Sequence, residues 1–128
     1  MIKVLLLLAA LSFTEAEHAK KIVEDPKGSA FHGVLEFRLW DKTRVDILTL
    51  EYAYEVDWAP KWAEGIGQAL YYGIVTGKKP GLILLTKKGE ERYVYRAQTV
   101  CAKHGIKLVV RRVEEEYKRK PLNLGYWK

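Results

Sequence analysis

"EYAYEVDWAPKW", residues Glu51 to Trp62, holds the pattern on which the fold of this 128-residue chain turns. Through Trp58 it alternates as a strand does. Ala53, Glu55 and Asp57 fall on one face, and Tyr52, Tyr54 and Val56 on the other. Side chains two apart on a strand share a face and lie about 6.6 Å apart. Two carboxylates on an otherwise apolar strand are costly to bury unless a cation or a hydrogen-bond donor pairs them. Pro60 then stands where a helix can begin, since its missing N–H would have no partner there anyway. The spacing predicts a helix over Lys61 to Thr76, stopped by Gly77.

The flanks extend the pattern in both directions. Upstream, "VLEFRLW" (Val34 to Trp40) alternates, with Leu35, Phe37 and Leu39 on one face and Glu36 and Arg38 on the other. A "DKT" turn leads to a second strand, Arg44 to Leu50, and the third is Tyr52 to Trp58. Turns this short imply an antiparallel meander. Downstream, Pro80 and Gly81 precede "LILLT" (Leu82 to Thr86), a continuous apolar run of the kind covered on both faces. A second helix is expected over Gly89 to His104, closed by Gly105, and a last strand over Ile106 to Val113. Lys20 to Gly33 is a short helix or a loop. The fold class expected is α/β: a mixed sheet of an antiparallel three-strand meander followed by helix, strand, helix, strand. Its later strands are parallel and joined by right-handed crossovers. With no repeat and no linker, residues 17–113 form one domain.

The chemistry gathers on the central strand. Asp46, on the neighbouring strand, adds a third acid to Glu55 and Asp57. Three carboxylates from two strands make an oxygen-rich site that suits Mg²⁺ or Mn²⁺. On the helix that follows, Lys61, Gly65, Gln68 and Tyr72 fall within about 60° of arc. They make one stripe of a cation, a gap, an amide and a phenol. Trp62, Ile66, Ala69 and Gly73 lie on the adjoining face, toward the sheet.

An acid on one strand, a Glu on the next, and Gln-x-x-x-Tyr on the following helix together resemble the PD-(D/E)xK nuclease superfamily, in its RecB-like and phage exonuclease branch. The resemblance spans roughly Val34 to Val110 and implies a restriction-endonuclease-like fold. It implies metal-dependent hydrolysis of phosphodiester bonds in DNA, with RNA second. Asp46 then matches the first metal-binding acid, Glu55 the acid of the (D/E)xK element, and Gln68 and Tyr72 the helix motif that positions the nucleic-acid backbone. Glu36 stands in for the upstream acid. The chain departs from the pattern at Asp57, which occupies the lysine position. Either Lys61 supplies the missing charge from the helix, or Asp57 is a further metal ligand, or the site has decayed. Decay leaves a non-catalytic nucleic-acid-binding module, or an exported interaction protein that uses the fold as a scaffold.

Plainer roles stand beside these. Glu55 and Asp57 also read as a solvent-facing strand end paired with Lys61 and Arg44, an arrangement worth about 0–1 kcal/mol. Trp58 and Trp62 read as core anchors, Cys101 as a small buried helix residue, and His104 as a helix end. His18, His32 and His104 have no spacing that suggests zinc.

Composition sets the outer bounds. At 48% hydrophobic residues, with four Trp and eight Tyr, the chain can bury a core. A net charge of +6 favours polyanionic partners without specifying one. The start has the layout of a secretory signal peptide: Lys3, an apolar run from Val4 to Leu11, and Thr14 and Ala16 before a cleavage point at residue 16. That run falls short of the roughly 20 residues that span a bilayer, so no stable membrane insertion is expected. An exported or periplasmic location follows if the signal operates, and a cytoplasmic one if the apolar start instead belongs to the domain. Residues 114–128 form a charged tail, whose mixed cations and aromatics suit single-strand contact or plain solvation.

Overall fold

The computed structural model describes residues 14–24 and 33–113. Five strands form one mixed sheet in the order β1-β2-β3-β4-β5, which is also their order in the chain. β1 (Gly33–Arg38), β2 (Arg44–Thr49) and β3 (Tyr52–Trp58) make the antiparallel meander. β4 (Lys79–Thr86) runs parallel to β3, and β5 (Lys107–Arg112) parallel to β4. Among the described residues the α-helices are α1 (Glu15–Glu24), α2 (Trp62–Thr76) and α3 (Glu91–His104). The expected α/β class, element order and strand directions are all present. The expected tail and the apolar start lie outside the described residues. Among those described, no helix is long and apolar enough to cross a membrane.

The apolar pattern sorts the helices onto two faces. Ile83 and Leu85 of β4 pack with Tyr54, Val56 and Ile47, and α1 covers them with Ala19 and Ile22. Leu82 and Leu84 point the other way, to Ile66 of α2 and to Ala97 and Cys101 of α3. β4 is thus covered on both sides, which is why it reads as an unbroken apolar run. Trp58 and Trp62 pack half-buried on these two clusters, one on each face.

Helix ends follow local chemistry. Gly77 (φ 68°) and Gly105 (φ 65°) close α2 and α3 in the left-handed conformation that glycine adopts without a Cβ penalty. α1 opens on a capping box. The Glu17 N–H donates to Thr14 Oγ1 at 3.2 Å, and the Thr14 N–H donates to the Glu17 carboxylate at 3.2 Å. This helix starts earlier than the segment from Lys20 suggested, and it spans the cleavage point placed after Ala16.

Two glycines of α2 separate packing from propensity. A Cβ on Gly65 would meet Leu82 Cδ1 at 2.9 Å and both Cβ and Oδ2 of Asp57 at 3.2 Å, whereas nothing lies within 4 Å of one on Gly67. Gly67→Ala is therefore expected to stabilise the protein by about 0.5–1 kcal/mol through helix propensity. Gly65→Ala is expected to destabilise it by about 1–3 kcal/mol, since the helix must retreat from β3 and β4. Urea denaturation of the two variants tests the opposite signs.

The alternation expected of β1 breaks at one point. The β1–β2 register holds from Gly33↔Thr49 to Leu35↔Ile47 and resumes at Phe37↔Val45, so Glu36 and Asp46 drop out of the ladder. Glu36 has φ 48°, a left-handed conformation uncommon for a residue with a Cβ. Beyond this kink the faces exchange: Ile47 joins the α1 side, while Val45 packs with Tyr72 on the α2 side. Phe37, expected inside with Leu35 and Leu39, is 40% exposed.

Candidate active site

The acids lie where β3 passes beneath the start of α2. Glu55 and Asp57 are 6% and 3% exposed, on the strand face that also carries Ala53 and meets α2. This burial removes the plainer role for them as a solvent-facing strand end. Asp57 Oδ1 accepts the Trp58 N–H at 3.0 Å, while its other oxygen faces Gly65. The gap in the helix stripe therefore lets α2 come down onto Asp57.

Asp46 reaches the same place across the kink. Its Oδ2 accepts the Val56 N–H at 2.7 Å, so a side chain takes over where the β2–β3 ladder has ended. Its carboxyl also shares a hydrogen bond with that of Glu55. Glu55 Oε2 is buried with no hydrogen-bond partner. A buried oxygen left so costs about 1–3 kcal/mol, more when charged.

A further acid comes from a segment that the sequence assigned to the leader. Glu15, in the first turn of α1, hydrogen-bonds Asp57 and adds negative charge beside Asp46 and Glu55. His18, one turn on, packs edge-on against the Trp58 ring at 5.4 Å and ties α1 to the end of β3. The signal for Glu15 was the Thr14-x-x-Glu17 capping box, which marks a helix start at the same residues. Glu36 is exposed on β1 and reaches the cluster only as charge felt by Asp46.

Like charges in a buried site resist ionisation. Burial, followed by the charge of Asp46, pushes the Glu55 carboxyl up to about 10. Burial and the Glu15 charge push Asp57 up to about 7. Burial likewise raises Asp46. Tyr72, buried at the rim and facing Glu55 and Asp46, is pushed up to about 12 and keeps its proton. The other half of the helix motif, Gln68, is half-buried, and among the described residues it makes no hydrogen bond. Lys61 is exposed at the end of the 3-10 turn Ala59–Lys61, and no ion pair joins it to the described acids.

The chemistry of this donor set fits a hard divalent cation: carboxylate oxygens on three elements, one of them orphaned and buried. The spacing is wider than a closed coordination sphere. Among the described residues, no three His, Cys, Asp or Glu side chains converge to hold an ion. Compared with protein-family models, curated proteins and solved structures, the chain gave no significant match.

Proposed function

We propose that this protein is a metal-dependent nuclease hydrolysing phosphodiester bonds, with DNA as the first substrate to test and RNA the second. The observation that carries the proposal is the orphaned Glu55 oxygen among buried acids of like charge. Such a group is neutralised either by a proton or by a cation from outside the chain, and a divalent ion would displace the proton. The element order of the sheet and the Gln68/Tyr72 stripe support a PD-(D/E)xK-like, restriction-endonuclease-like architecture for it.

In this reading Asp46 and Glu55 would hold Mg²⁺ or Mn²⁺, with Asp57 as a further ligand and Glu15 completing the charge. The ion when bound supplies a Lewis acid for the phosphate and lowers the pKa of water. Tyr72, protonated across the physiological range, donates a hydrogen bond to a phosphate oxygen, and Gln68 offers its amide one turn earlier. Lys61, on a long flexible stem beyond Asp57, adds positive charge toward the bound backbone. The α1 helix keeps Glu15 at the site only in a chain that retains residue 15.

Purified protein with Mn²⁺ or Mg²⁺ and labelled single- and double-stranded DNA tests the proposal. Cleavage is expected in the wild type, stopped by EDTA and absent in Asp46→Asn. Equal cleavage by Asp46→Asn would assign it to a contaminant or another site. A second reading, a non-catalytic nucleic-acid-binding module, is favoured by Asp57 in the lysine position and by the open spacing of the acids. Salt-sensitive DNA binding with no cleavage in either metal would select it.

A further inference from the structure

Beyond the acids, β4 ends beside β3, and β5 beside β4. Trp58 pairs with Leu85, and Thr86 with Arg112. On the α3 side of these ends lies a cleft of about 300 Å³, lined among others by Lys87, Glu91, Val94, Tyr95, Gln98 and Arg112. It shares both a sheet end and a sheet face with Asp57, two strand spacings or about 10 Å away.

The lining has three kinds of surface. Tyr95 is 71% exposed and Val110 on the opposite wall 40% exposed, which gives an aromatic platform and an apolar floor. Lys87 and Arg112 border it with two cations; the Lys87 ammonium stands 5.0 Å over the Trp58 ring, at the α1 side of the sheet end. Gln98 adds an amide. Glu91 is the one carboxylate of the lining; it accepts the Gly89 N–H at 3.4 Å, and Arg112 and Lys88 favour its charge. The loop before α3 is braced, since the Lys87 N–H donates to Glu90 Oε1 at 2.6 Å. Arg92 and Arg96 continue the positive charge along α3 beside Tyr95, both stacked on Tyr93.

We infer that this cleft binds a nucleotide of single-stranded nucleic acid flanking the bond at the acids, its base on Tyr95 and its phosphates against Lys87 and Arg112. A flat exposed phenol beside cations suits a base and its backbone. The volume admits one base and leaves no room for a duplex. The inference rests on the nuclease reading for the identity of its ligand, and the test separates the two.

The test is fluorescence anisotropy of a labelled oligo-dT strand of about 15 nucleotides, with the full chain in EDTA. Tyr95→Ala is expected to weaken binding about tenfold and Tyr95→Trp to preserve it. The pair Lys87→Gln and Arg112→Gln is expected to reduce the salt slope by about 1.4. Wild-type binding that Tyr95→Ala leaves unchanged overturns the inference, as does no binding by the wild type. So does a dimer of the chain that Tyr95→Ala dissolves, since a second copy would then fill the cleft. The acid site is judged separately, by Mn²⁺ titration without nucleic acid. Cleft-dependent binding in a protein that takes up no Mn²⁺ would uphold the cleft and sink the nuclease.

Discussion

Glu55→Gln is expected to abolish metal-dependent cleavage while making the metal-free protein more stable at pH 8. The two effects have one cause. At this position the carboxylate is buried, next to Asp46, with one oxygen unpartnered. The amide keeps the shape, carries no charge, and can donate its N–H to the Asp46 carboxylate. At pH 8 the fold keeps Glu55 protonated while the unfolded chain ionises it, so folding must take up a proton; removing that cost is worth on the order of 2 kcal/mol or more, or a rise of about 10 °C in Tm for a domain of this size. Loss of a metal ligand removes the ion's several kcal/mol of transition-state stabilisation, about 10³-fold in rate or more. Activity and thermal unfolding on the same two preparations check both signs. A Gln variant that is less stable at pH 8 would mean that Glu55 is a structural hydrogen-bond partner.

The second large effect is a fall in metal-free stability as pH rises. Both acids have folded pKa values above their ordinary ones, about 10 for Glu55 against 4.5 and about 7 for Asp57 against 3.8. Between those limits the folded state holds more protons than the unfolded chain, so stability declines with rising pH. The contribution is complete below about pH 4, nearly spent for Asp57 by about pH 7, and continues to fall toward 10 for Glu55. Asp41 and Glu91 shift the opposite way but sit in water, where such pairs contribute little. Stability between pH 5 and pH 8 is expected to fall by several kcal/mol in EDTA, about 1.4 kcal/mol per pH unit for each proton the fold retains. Mn²⁺ displaces the protons, so its affinity and its stabilising effect grow over the same range. A profile that is flat in EDTA would show these acids to be already compensated.

Most of the scaffold was legible because periodicity carried it. The period of two in Tyr52 to Trp58 placed Glu55 and Asp57 together, away from Tyr54 and Val56, and the strand is built so. Pro60, Gly77 and Gly105 marked helix ends by backbone constraints that act locally. The stripe of α2 put Tyr72 near the acids, and Gly65 proved to be the point of closest approach. What was not legible depended on tertiary contact. The positive φ of Glu36 has no residue signature, so the break in β1 and the reach of Asp46 to the Val56 N–H were hidden. Glu15 was passed over because Thr14, which caps the helix with Glu17, also makes a cleavage pattern with Ala16. Of the three alternatives for the lysine position, the one in which Lys61 reaches back from the helix has it start from an exposed turn.

The central claim is that the buried acids are built for a divalent cation. Isothermal titration of Mn²⁺ at pH 7.5 into the wild type and Glu55→Gln, in two buffers of different ionisation enthalpy, tests it most directly. The account predicts saturable binding to the wild type with net proton release, and loss of both in the variant. Equal binding by the two proteins, or none by the wild type alone and with uncleavable DNA, would contradict it.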